Sequence, residues 1–129
     1  MSLAVNFAFV GLGGAVGACS RYALSLMLST PLSAVPYATL MANIVGALIA
    51  GFLATIFMSK PMTGGGVHLL LVVGFLGGFT TFSAFSLETL RLAEAGNFLL
   101  AASNIGLNVF GSLIAVTAGA YLARWYAGA

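Results

Sequence analysis

The sequence predicts an all-α membrane protein of four transmembrane helices, and three observations predict it. Charged residues make up 5% of the 129-residue chain, against about 25% in an ordinary soluble domain. Hydrophobic residues are 61% of it, with a mean hydropathy of +1.14. The apolar residues fall in continuous runs, whereas a membrane β-barrel alternates apolar and polar over strands of about ten residues. Four basic and two acidic side chains cannot cover the surface of a soluble fold. Composition therefore excludes a soluble enzyme, a nucleic-acid binder and a disordered chain. A span takes about 20 apolar residues, so this length holds four with their loops, and five would leave almost none. Four spans are few for enclosing a polar pathway, which points to oligomerisation.

The first segment runs from about Leu3 to Leu28. It lacks a basic leading region and contains Arg21, so it reads as a span and not as a cleaved signal peptide. The second starts near Pro36, a residue favoured in the first turn of a helix, and ends near Ser59. Lys60, Pro61 and the run Gly64-Gly65-Gly66 form the next connection. The third segment covers about Val67 to Arg91 and the fourth about Phe98 to Trp125. The connections 29–35, 60–66 and 92–97 are short, so neighbouring helices form antiparallel hairpins. The whole chain, 1–129, reads as one four-helix transmembrane domain, without linker or repeat.

Glycine occurs 17 times, mostly inside the spans. Gly13 and Gly17 are four apart, as are Gly74 and Gly78, and Ala47 and Gly51. Small residues at this spacing let helix backbones approach closely in lipid. Lys60 and Arg124 fall on one side of a four-span layout, Arg21 and Arg91 on the other. Topology follows the Lys/Arg bias of short loops, and a balanced count leaves single and dual orientation equally open. Cys19 is the single cysteine, so no intrachain disulfide forms. A net charge of +2 is too small to imply nucleic acid or an acidic-lipid patch.

Polar residues at bilayer depth mark either packing or a pathway, because each costs free energy until it finds a partner. Thr39 and Asn43 share a face of the second segment. Asn104, Asn108 and Ser112 make a stripe down the fourth. Interhelical hydrogen bonding accounts for such residues as readily as a pathway does. The third segment stands out: Gly74-Phe75-Leu76-Gly77-Gly78-Phe79-Thr80-Thr81-Phe82-Ser83-Ala84-Phe85-Ser86. Adjacent glycines and threonines weaken a helix. Either it kinks and its hydroxyls stabilise the kink, or it opens and its carbonyls face protein, water or a hard cation. Phe82 and Phe85 lie three apart on one face, with Ser83 and Ser86 beside them. Aromatics at that spacing are usually core or lipid-facing, yet a ring edge carries positive partial charge and can receive an anion.

These residues resemble a known family. Gly74 to Ser86 is similar to the third-helix signature of the Fluc (CrcB) fluoride channels. Gly14 to Ala18 followed by Arg21-Tyr22 resembles that family's first helix, and Thr39 and Asn43 with Gly46 its second. The resemblance covers the whole chain. It implies a dual-topology, antiparallel homodimer in the cell (inner) membrane, with two fluoride pathways each built from both subunits. It implies a structural Na⁺ at the dimer centre, held by the backbone carbonyls of Gly77 and Thr80. Phe82 and Phe85 fall on the fluoride-lining phenylalanines, Asn43 on the pore asparagine and Arg21 on an arginine near the vestibule. Ser83, Ser112, Thr39 and Glu88 match polar groups along the path. Ala84 departs from the pattern, since members often carry a hydroxyl there, and Asn104 and Asn108 match no assigned role. Asn43 and the hydroxyls can donate to a dehydrated anion, and ring edges can supplement them. No fixed Lys or Arg sits where it would hold the ion too tightly to leave.

The rival reading is a small proton-coupled multidrug exporter, which shares the length and span count. It needs a carboxylate inside the membrane, and Glu88, one turn from Arg91, reads as interfacial. A non-conducting assembly subunit is a second rival. His68 and Cys19 have no catalytic company, so the chain reads as no enzyme. Trp125 and Tyr126 fit an interfacial aromatic belt.

Overall fold

The computed structural model describes residues 2–31, 34–59 and 65–128. Lys60, Pro61 and Gly64 of the second connection lie outside the described residues. Six helices follow in order: α1 (Leu3–Met27), α2 (Tyr37–Ser59), α3 (Gly65–His68), α4 (Gly77–Phe79), α5 (Phe82–Glu94) and α6 (Phe98–Ala127). A π-helical stretch, Leu69–Leu76, joins α3 to α4. Together α3, the π stretch, α4 and α5 make the third span, Gly65–Glu94, interrupted at its middle. The four apolar spans are each long enough to cross a bilayer.

The ends of the helices follow local chemistry. Ser2 caps α1, its hydroxyl accepting from the Val5 N–H at 3.4 Å. Pro36 sits one residue before α2 and its carbonyl accepts from the Leu40 N–H at 3.1 Å, so it caps the helix rather than opening its first turn. Gly128 closes α6 at φ 73°, with its N–H returned to the last turn. Gly96, at φ 78°, makes the short reversal between α5 and α6.

The packing joins helices in two pairs. α2 lies along α6, and α1 lies along the π stretch and α4. Both seams depend on glycine. A Cβ at Gly13 or Gly17 would overlap a backbone oxygen of the π stretch, and one at Gly51 or Gly119 would overlap a backbone oxygen of the facing helix. The spacings of four at Gly13/Gly17 and Gly74/Gly78 thus meet across one seam: a Cβ at Gly78 would strike Gly14, and one at Gly74 would strike Val10 and Gly13. The core mixes alanines and polar side chains with a few larger apolar ones such as Leu76, Phe85 and Leu92; Ala42 and Asn104 are fully buried. Large apolar residues such as Phe7, Phe110 and Trp125 are exposed on the outside, as expected where lipid is the solvent.

Candidate functional site

The third span opens between α4 and α5. Two small residues, Gly77 and Gly78, end the first half, and Thr80 and Thr81 take extended conformations (φ/ψ −80°/156° and −155°/122°). An extended pair cannot continue the helical hydrogen bonds, so each freed group needs another partner. The Thr80 N–H and hydroxyl both go back to the Leu76 carbonyl, at 2.9 and 2.8 Å. The Thr80 methyl occupies the notch left by Gly46 on α2. Thr81 caps α5, its hydroxyl accepting from the Ala84 N–H at 3.2 Å.

Two side chains from earlier helices clamp the opening. The Asn43 amide accepts from the Thr81 N–H at 2.8 Å and donates to the Thr81 carbonyl at 3.1 Å. Arg21 Nε donates to the Gly78 carbonyl at 3.2 Å. In an unbroken helix the Gly77 carbonyl would accept from the Thr81 N–H, and the Thr80 carbonyl from the Ala84 N–H. Both donors are engaged elsewhere. The carbonyls of Gly77 and Thr80 are therefore left without their helical partners, while that of Gly78 has Arg21.

Beside the opening lies a groove of about 660 Å³ between the third span, α2 and α6. Asn43, Gly77, Thr80, Phe82, Phe85 and Ser112 all line it. The Phe82 and Phe85 rings meet edge to face, centroids 5.2 Å apart and planes at 61°. Phe85 is buried and Phe82 is 75% exposed. Ser112 offers a hydroxyl with no hydrogen-bond partner among the described residues.

Several expectations change in detail. Asn43 lines the groove, but both its N–H groups are engaged inside the protomer, on the Thr81 carbonyl and on Asn108 Oδ1 at 2.8 Å. Glu88 lies within α5, which runs on past Arg91 to Glu94. Its carboxylate turns inward and accepts from the Thr39 hydroxyl at 2.7 Å. Thr39 and Glu88 meet each other but do not line the groove, and Ser83 faces outward, 3.2 Å from the Thr81 hydroxyl. Arg21 touches the opening itself. Reading the sequence placed Thr81 in the weak run without giving it a role in the site, and missed Thr89, which no local pattern marks.

The four apolar spans define a multi-pass membrane protein, and side chains hold a helix break in the middle of its third span. Residues 8–120 match the family model of the CrcB-like proteins, described as Camphor Resistance (CrcB). The chain belongs to the CrcB family. It is 43% identical over 117 residues to the fluoride-specific ion channel FluC of Pseudomonas putida strain W619, covering 91% of each chain. It is 45% identical over 116 residues to the protein of that name from Pseudomonas syringae pv. tomato, covering 89% of this chain and 94% of the relative. The corresponding protein of Clostridium perfringens strain 13 is 43% identical over 116 residues.

Proposed function

We propose that the protein is a fluoride-selective ion channel, passing the ion passively across the cell (inner) membrane, and that it works as an antiparallel homodimer with two pathways. It does no covalent chemistry. The observation that carries the reading is the groove at the opened third span, which the Phe82–Phe85 edge-to-face pair and Ser112 line together. Ring edges and hydroxyl protons are partners for a small dehydrated anion. Among the described residues no Lys or Arg lines the groove to trap the ion. The relatives' name, fluoride-specific ion channel, agrees with this chemistry.

The test is fluoride efflux from proteoliposomes containing only this chain, with a potassium ionophore and neither ATP nor a pH gradient. Fluoride should leave rapidly while chloride stays. Equal rates for the two anions would overturn selectivity. Proton-driven efflux of a cationic drug without fluoride flux would favour the exporter, with Glu88 as its carboxylate.

The groove of one protomer is open on one side and apolar around its polar spots, so a second copy completes it in the dimer. Balanced Lys/Arg counts permit the two copies to insert in opposite orientations. In that arrangement a Na⁺ would be held by the carbonyls of Gly77 and Thr80 from both chains. The fit is chemical: these are the carbonyls whose helical donors are engaged elsewhere, and neutral oxygens suit a hard cation. Among the described residues no cluster of three His, Cys, Asp or Glu offers another site. When bound, the ion supplies positive charge between the two halves. An experimental structure in Na⁺ should show antiparallel chains with density on their shared axis beside Gly77 and Thr80. Parallel chains, or an axis without an ion, would refute this assembly.

A further inference from the structure

From the groove, which Asn43 and Asn108 both line, a chain of side-chain amides runs inward, and it starts from a group whose polarity is fixed. The Thr81 N–H can only donate, so the Asn43 atom facing it at 2.8 Å is the oxygen. Asn43 Nδ2 must then face Asn108 Oδ1, at 2.8 Å. Asn108 Nδ2 in turn donates to Asn104 Oδ1 at 2.9 Å and to the Asn104 carbonyl at 3.1 Å. Asn104 Nδ2 donates to Thr89 Oγ1 at 2.9 Å. The Thr89 hydroxyl proton goes to the Phe85 carbonyl at 2.8 Å. The Thr81 N–H and the backbone carbonyls of Thr81 and Asn104 thus set the orientation of the amides, and from Asn43 through Asn108 and Asn104 to Thr89 each side chain donates to the next.

The two ends of this ladder lie on the same half-span. It begins at Thr81, the cap of α5, and ends at the Phe85 carbonyl, so it brackets the turn that carries Phe82 and Phe85. Its middle rests on α2 and α6. Asn104 is fully buried and Asn108 is 5% exposed. Thr89 Oγ1 is the one acceptor of Asn104 Nδ2 among the described residues, so losing it leaves a buried donor unsatisfied.

We infer that Asn108, Asn104 and Thr89 are positioning residues: they fix the Asn43 amide and, through both ends of the ladder, the placement of the phenylalanine pair. Asn108 also lines the groove, whereas Asn104 and Thr89 act from outside it. The inference rests on the proposed channel function for its transport readout, and on geometry alone for its spectroscopic one.

The test uses Thr89→Val, which keeps the shape and removes the oxygen, and Thr89→Ser, which restores it. Asn108→Leu and the double variant Thr89→Val/Asn108→Leu complete the set. Among variants that remain dimers, Thr89→Val should lower fluoride efflux about tenfold, the scale of one lost buried hydrogen bond. Thr89→Ser should recover most of it. The double variant should be no slower than Asn108→Leu alone, because both cut the same ladder. Wild-type rates in Thr89→Val, or losses that multiply in the double variant, would overturn the inference. Should Asn108→Leu fail to fold, the Thr89 pair decides alone. Independently of transport, Thr89→Val should shift the side-chain amide resonance of Asn43, which Thr89 does not touch; an unmoved resonance overturns the ladder. A wild-type chain that carries no fluoride removes the channel reading instead, and leaves the resonance test standing.

Discussion

Phe82→Ile and Phe85→Ile each lose most of their fluoride efflux, by about tenfold or more, while still forming the dimer. The rings meet edge to face across 5.2 Å, so their edges are held in a fixed place beside the groove. Isoleucine keeps apolar bulk and removes the quadrupole. Quadrupole contacts contribute about 0.5–1.5 kcal/mol each between aromatic groups, and a partly dehydrated anion depends on them more heavily because water no longer competes. Phe85 is the buried partner and Phe82 the exposed one. Phe85→Ile therefore also tests packing, and its dimer must be checked by size-exclusion chromatography before efflux is read. Phe7, exposed on α1 and outside the groove, supplies the control: Phe7→Ile should conduct as the unaltered protein does. Normal efflux from both groove variants would show that the rings only pack.

Gly17→Ala lowers the thermal stability of the protein sharply, and Gly11→Ala does not. A Cβ at Gly17 would overlap the Phe75 carbonyl oxygen and lie 2.9 Å from the Phe79 N–H nitrogen. Both neighbours are backbone, so neither can rotate aside; α1 must withdraw from the third span. Overpacking of this kind costs about 1–3 kcal/mol, and more where backbone must move. Nothing lies within 4 Å of a Cβ at Gly11, and alanine favours helix by about 1 kcal/mol over glycine. Thermal unfolding in detergent compares the two variants. Equal midpoints would mean that the seam between α1 and the third span is looser than the structure has it. Because Phe79 is the last residue before the opening, Gly17→Ala should reduce efflux as well.

Much of this architecture can be read from the chain, because lipid makes hydropathy decisive. The four spans emerge within a few residues, and the third shows its weak point in the run Gly77-Gly78-Phe79-Thr80-Thr81. Spacings of four among glycines anticipated the seam of α1 with the third span. What hydropathy cannot convey is which polar group pairs with which. Asn43 looked like a donor facing the ion, yet its N–H groups close the opening from within. Glu88 reads as interfacial because Arg91 follows one turn later, and no local pattern shows that its carboxylate accepts from Thr39 on α2. Asn104 and Asn108 showed their shared face by spacing. Their partner Thr89 lies on another helix, and no local pattern marks it.

The clamps on the opened span also bear on how the protein is made. Arg21 and Asn43 precede the third span in the chain, and Asn108 follows it. Synthesis proceeds from the N-terminus, so the groups that satisfy the Gly78 carbonyl and both main-chain atoms of Thr81 are in the membrane before the opened segment arrives. The nascent segment need not expose those polar groups to hydrocarbon. Only the second N–H of Asn43 waits, and the last helix to be made brings its acceptor. Arrival of α6 is thus the step that completes the polar interior of each newly synthesised subunit.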